Sequence, residues 1–262
     1  MTAVTNLALQ PTGVRLRRAA VTLIPLGVVG VLAILPSVAQ SLRTVLAELP
    51  GAPPVGVLVA VQTVQLLLLM VGGVLLGAWA APRVGFTSRL LERDRTSLRR
   101  DVLVALLPGI LAGVWIVVGD LVTAPFLGAD WAEAANFGPR SVGVTVAGML
   151  YGGITEELML RWGAMSGLAY AGWRLFARRS IRPPAVIVVA AIVLSAVLFG
   201  VLHLGAVAAV VPLTPLIVAR TIALNAVAGI IFGTLFARRS LEAAMVAHAA
   251  SHVTVTALSL LL

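Results

Sequence analysis

The sequence predicts an all-α, polytopic membrane protein, a bundle of seven to eight transmembrane helices with its N-terminus in the cytoplasm. Three observations carry that expectation. Of 262 residues, 60% are apolar and 11% are charged, against about 45–50% and about 25% in soluble domains. The apolar residues fall into seven long runs. The cations are spread very unequally over the segments between those runs.

The runs cover 19–39, 55–81, 102–127, 142–173, 185–204, 214–237 and 243–262. Each can cross a hydrocarbon core of about 30 Å. The run 142–173 exceeds one simple crossing. A span continuing into an interfacial helix would account for the eighth helix. Breaks fall at Pro50–Pro54, Pro82, Pro139, Pro183–Pro184 and Pro212–Pro215. Pro25, Pro36 and Pro108 lie inside runs, as kinks that membrane bundles tolerate. The first run follows Arg15, Arg17 and Arg18 and ends near Ser37-Val38-Ala39, like a secretory signal. Its length favours a retained first span. Residues 1–140 read as three accessory spans, and 141–262 as the core that carries the chemistry.

All 19 basic residues are Arg. With seven crossings from a cytoplasmic N-terminus, fifteen of them fall on the cytoplasmic side. Only Arg43 and Arg140 fall opposite, while Arg161 and Arg220 lie within apolar runs. This is a positive-inside distribution. It also explains the net charge of +9, which faces anionic headgroups, so no nucleic-acid partner is expected. The mean hydropathy of +1.06 agrees. The chain has no Cys and no Lys, which excludes disulfides, thiolate catalysis and Schiff-base chemistry. A Lys-free composition suggests a bacterial chain in the plasma membrane.

The apolar runs contain Asp120, Glu156, Glu157, Arg161, His203, Arg220, Asn225, His248 and His252, including every His of the protein. Each charge at a span centre costs about 2.5–3.5 kcal/mol on the insertion scale, so Glu156, Glu157 and Arg161 would cost roughly 7–10 kcal/mol unpaired. Glu157 and Arg161 are four apart and can pair on one helix face. Glu156 turns about 100° away and can face a cavity, where a carboxylate suits general-base work. The bland alternative is one buried ion network joining helices. Phe199 and His203 share a face, as do His248 and His252, whose spacing suits a metal or a polar cavity. Asp120 and Arg220 read as span-end residues or a structural pair. There is no His-Glu-x-x-His zinc signature, no Gly-x-Ser-Gly and no Gly-x-Gly-Asp.

Glu156-Glu157-Leu158-Met159-Leu160-Arg161 resembles the Glu-Glu-x-x-x-Arg motif of the CPBP intramembrane proteases, also called the ABI family, which include type II CAAX prenyl endopeptidases. Phe199 to His203 resembles their Phe-x-x-x-His motif, and Gly229 through His248 their following stretch, which ends in His-x-x-x-Asn or Asp. The resemblance covers about residues 142–262. It implies that Glu156 and His203 position and deprotonate the attacking water. His248, with the residue four later, would stabilise the oxyanion, and Glu157 and Arg161 would hold the helix, with Phe199 supporting the site. His252 departs from the family, which has Asn or a similar polar residue there. The resemblance favours cofactor-free chemistry. Glu156, His203, His248 and His252 could by ligand type hold zinc instead.

The expected function is therefore an intramembrane endopeptidase acting on a membrane-associated, prenylated or otherwise lipid-anchored protein. Two other classes compete. A proton- or cation-coupled transporter would use the same Glu/His set and need polar residues along a path to both faces. A non-catalytic membrane scaffold or immunity protein would carry the set as a vestige. One geometric tension remains. His203 lies about twenty residues beyond Pro183 and would sit roughly 15–20 Å too far toward the outer face. Its helix must start within the cytoplasm, tilt or break for His203 to join Glu156.

Overall fold

The computed structural model describes residues 6–47, 51–134 and 140–262. The expected breaks at Pro50 and Pro139 lie outside them. The described residues are helical, without strands. The helices are α1 (Thr12–Leu46), α2 (Val55–Val84), α3 (Arg89–Glu92), α4 (Arg95–Thr123), α5 (Ala129–Ala134), α6 (Val142–Leu150), α7 (Ser166–Phe176), α8 (Ala185–Leu202), α9 (Leu204–Ala208), α10 (Pro215–Arg238) and α11 (Leu241–Ser259). Between α6 and α7 the chain runs on as two π-helical segments, Tyr151–Glu156 and Leu158–Met165.

Short polar side chains set many of the starts by accepting from a backbone N–H one turn on. Ser88 does this for α3, Asp94 for α4, Ser141 for α6, Thr214 for α10 and Ser240 for α11. Pro25 and Pro36 lie inside α1 and Pro108 inside α4. Pro82 does not break α2. It lies in the last turn, and the helix stops at Gly85, whose φ of 86° is left-handed.

Among the described residues, five helical stretches are long and apolar enough to cross a membrane: Thr12–Leu46, Val55–Val84, Arg95–Phe126, Ala185–Ala208 and Pro215–Arg238. The other two expected runs are helical but lie outside this set. Residues 142–176 are divided by the π segments. α11 spends its polarity on His248, Ser251, His252, Thr254 and Thr256.

One core joins both parts of the chain: Leu23 of α1 and Met70 of α2 share it with Leu158, Trp162, Phe232 and Ala247. Thr155 donates to the Gly27 carbonyl of α1 at 2.9 Å, and Trp162 Nε1 to the Val74 carbonyl of α2 at 3.1 Å. Helices come closest at small residues. A Cβ on Gly109 of α4 would lie 2.8 Å from Ala247 Cα, and one on Gly113 2.6 Å from Thr254 Cβ. This pair, one turn apart, lets α4 lie flat along α11, as small-xxx-small faces do in membranes.

Several arginines meet at one end of the bundle. There Arg15 and Arg83 meet at Thr12, and Arg89 donates to the Arg239 carbonyl at 3.1 Å. The same end holds a buried clamp on the start of α11. Glu242 accepts from Ser88 Oγ at 2.6 Å, Arg89 N at 2.8 Å and Leu90 N at 3.2 Å. Arg89 in turn pairs with buried Asp101 at 3.0 Å. Glu242→Ala removes the acceptor for three donors and is expected to destabilise the protein by about 1–3 kcal/mol. Thermal unfolding in nanodiscs measures it, and Glu242→Gln should lose less.

Asp120 and Arg220 form the structural pair expected of them, at the opposite end. Arg220 also donates to Thr123 at 3.3 Å and lies 4.4 Å over the Trp131 ring.

Candidate active site

Glu156 and Glu157 sit where the helix is π-wound, and Arg161 lies within the second π segment. A π-helix carries i→i+5 bonds and a wider turn than an α-helix, and such segments concentrate at functional sites. The angle between neighbouring residues is therefore smaller than the α-helical 100° expected from sequence. The two carboxylates nevertheless differ in environment. Glu157 is fully buried, while the Glu156 side chain keeps 16% of its exposure.

Glu157 Oε1 contacts Arg161 Nη1 at 3.2 Å, so the expected i,i+4 pair is present. Arg161 is itself fully buried. Its Nη2 donates to the Gly229 carbonyl at 3.3 Å, and its guanidinium lies 4.7 Å from the Phe199 ring and 5.5 Å from the Phe232 ring. Two aromatic faces thus replace water around the cation.

The pairing that the sequence did not disclose runs between helices. His248 Nδ1 lies 2.8 Å from the same Glu157 Oε1. A carboxylate only accepts, so Nδ1 carries the proton. The other ring nitrogen, Nε2, faces Glu156 Oε2 at 3.9 Å. His248 stands between the two acids, its tautomer fixed by one and its free nitrogen turned to the other. His248 also stacks on Phe232 at 4.6 Å and on His252 at 5.2 Å.

His203 joins this group through Phe199. The Phe199 ring meets His203 edge-on at 4.6 Å and His248 edge-on at 5.5 Å. One aromatic ring therefore separates the two histidines. His203 caps the end of α8, directly before α9. Its Nδ1 lies 2.8 Å from the Phe199 carbonyl, which again fixes the proton on Nδ1 and leaves Nε2 as the free acceptor.

Residues 138–254 match the family described as type II CAAX prenyl endopeptidase Rce1-like. This part of the chain, just under half of its length, is similar to that family. Neither a curated protein nor a solved structure matches the chain. The family is one of membrane endopeptidases that act on membrane-associated proteins. The matched segment contains all seven candidate residues, from Glu156 to His252.

Two further residues of the matched segment shape the site. A Cβ on Gly148 would lie 2.6 Å from His252 Nδ1. One on Gly152 would lie 2.6 Å from His252 Nε2 and 3.0 Å from His248 Nε2. Their four-residue spacing, a Gly-x-x-x-Gly step just before the paired acids, is the sequence signal that could have found them. Gly152→Ala is expected to push both rings aside and lower activity at least about tenfold, while Gly143→Ala, whose Cβ meets nothing closer than Ser141 Oγ at 3.9 Å, keeps it. Initial rates on one substrate compare the two.

The hydroxyls of Thr145 and Thr256 meet at 2.7 Å, and Ser259 accepts from Arg140 N at 3.2 Å. These groups extend the polar face of α11 beyond His252. Among the described residues, no group of three or more His, Asp or Glu is placed to hold a metal ion. The rings of His203, Phe199, His248 and His252 follow one another in edge-on and stacked contacts.

Proposed function

We propose that this protein is a cofactor-free intramembrane endopeptidase that hydrolyses a peptide bond of a lipid-anchored protein. The observation that carries the reading is His248, held by Glu157 through one nitrogen and facing Glu156 through the other. The 3.9 Å gap suits a water that donates one proton to each. Glu156 takes a proton as the water oxygen attacks the carbonyl carbon. The tetrahedral intermediate then collapses, the C–N bond breaks, and the proton passes to the departing amine. His248 thus belongs with the base, where the resemblance places it at the oxyanion. His252, whose ring makes no hydrogen bond among the described residues, is free to donate to the oxyanion in its neutral form. His203 orients the water or substrate through its free Nε2.

The same reading places the N-terminus and the arginine-rich end in the cytoplasm of a bacterial plasma membrane, with seven crossings. The composite helix 142–176 and α11 then complete the five apolar spans. Residues 1–140 act as the accessory part, holding the π segments through Gly27 and Val74. Transport fits less well. The polar face of α11 continues from His252 toward Ser259, but the stretch from Ala243 to Ala247 is apolar and, apart from half-buried Val246, buried.

Reconstitution in liposomes with two reporter peptides tests the function, one farnesylated at a C-terminal CAAX cysteine and one acylated. Cleavage of either by wild type, lost in His248→Gln, supports the reading. A folded wild type that cleaves neither contradicts it.

A further inference from the structure

The arginine-rich end contains cations that no acid compensates. Arg15, on the first turn of α1, is 6% exposed, and its Nε has no hydrogen-bond partner among the described residues. Its Nη2 donates to Thr12 Oγ1 at 3.0 Å, and Arg83 Nη2 donates to the same oxygen at 3.3 Å. Two guanidinium groups therefore converge on one neutral hydroxyl. Arg18, one turn further along α1, has a buried Nη2 that is likewise unpartnered. It lies close enough to Arg93 to be repelled by it. None of Arg15, Arg18 and Arg83 forms an ion pair among the described residues.

Beside this group opens a recess of about 510 Å³, lined by Arg83, Arg89, Arg182, Glu92 and Asp94 among others. Its carboxylates are already engaged. Glu92 pairs with Arg89 at 3.2 Å, and Asp94 accepts from Ser97 N at 3.0 Å as the cap of α4. Arg89 is in turn held by Asp101. Arg83, whose Nη1 also donates to the Trp79 carbonyl and whose guanidinium lies 4.6 Å over the Trp79 ring, and exposed Arg182 are the recess cations without an acid partner among the described residues, and Arg15 meets Arg83 at Thr12. Like charges brought together in a partly buried site without a counter-ion repel one another, and a bound anion relieves that repulsion. Guanidinium groups match phosphate in shape as well as charge.

We propose that this recess is a phosphate-binding site, in which Arg83 and Arg182 contact the anion and Arg15 and Arg18 supply the potential behind it. The phosphate belongs either to an anionic lipid headgroup or to a free phosphate compound, and the two sources are separable. The protein is placed in nanodiscs of phosphatidylcholine alone or with phosphatidylglycerol, and inorganic pyrophosphate is titrated into the first. Thermal unfolding is the readout. A rise of several degrees with phosphatidylglycerol identifies the lipid as the source, and a rise with pyrophosphate in the neutral disc identifies the free compound. In either case Arg83→Gln with Arg182→Gln should abolish the rise, and Arg15→Gln should shrink it. Arg99→Gln with Arg100→Gln, which removes two charges outside the recess, should keep it. The proposal is overturned if neither source raises the unfolding temperature of wild type. It is equally overturned if the Arg99/Arg100 variant loses the rise as fully as the Arg83/Arg182 variant does.

Discussion

Glu156→Gln is expected to lower the hydrolytic rate by about 10²–10⁴-fold, the range typical of a positioned general base. Gln keeps the shape of Glu and can still donate or accept hydrogen bonds, but it takes no proton from water at neutral pH. Glu156 is also the partly exposed acid of the pair and forms no ion pair with an arginine among the described residues, its contact being with the free Nε2 of neutral His248 at 3.9 Å. Its loss should therefore leave the fold intact. Unfolding temperatures of wild type and variant should agree within about 2 °C while the rates part by orders of magnitude. Equal rates would remove Glu156 from the chemistry.

Arg161→Met gives the largest expected loss of stability, about 3–5 kcal/mol, because it leaves Glu157 as an uncompensated buried charge. Met fills part of the space between Phe199 and Phe232 but offers nothing to the carboxylate. Much of the cost should return when the acid is neutralised as well. Glu157→Gln with Arg161→Met is expected to be more stable than Arg161→Met alone, since exchanging a whole buried pair costs less than breaking it. Unfolding in denaturant across the double-mutant cycle measures the coupling. A single variant as stable as wild type would mean that the pair carries little of the fold.

Much of the architecture could be read along the chain because local spacing determines it. The Glu157–Arg161 pair follows from a four-residue separation and survives the change from α- to π-winding, with a contact of 3.2 Å. The shared face of His248 and His252 survives as a ring stack. Apolar length fixed seven helical stretches, although the π winding and the polar residues of α11 leave five of them as simple apolar spans. What could not be read is what joins distant segments. The bond from His248 to Glu157 spans 91 residues, and no periodicity reports it. The clamp of Glu242 on Ser88 and Arg89 is hidden in the same way. Its members look like ordinary loop charges until the fold buries them. Gly148 and Gly152 lay within reach, since small residues one turn apart mark close approach. Which rings they admit is decided by α11.

The most direct test of the proteolytic reading compares protein N-termini in membrane fractions of cells that carry wild type or Glu156→Gln at equal abundance. Mass spectrometry should find a defined set of N-termini in wild type that is missing with the variant, each arising within or beside a membrane-anchored segment. Identical sets from the two strains, with a wild-type phenotype retained by the variant, would contradict hydrolysis at Glu156 and favour a non-catalytic scaffold.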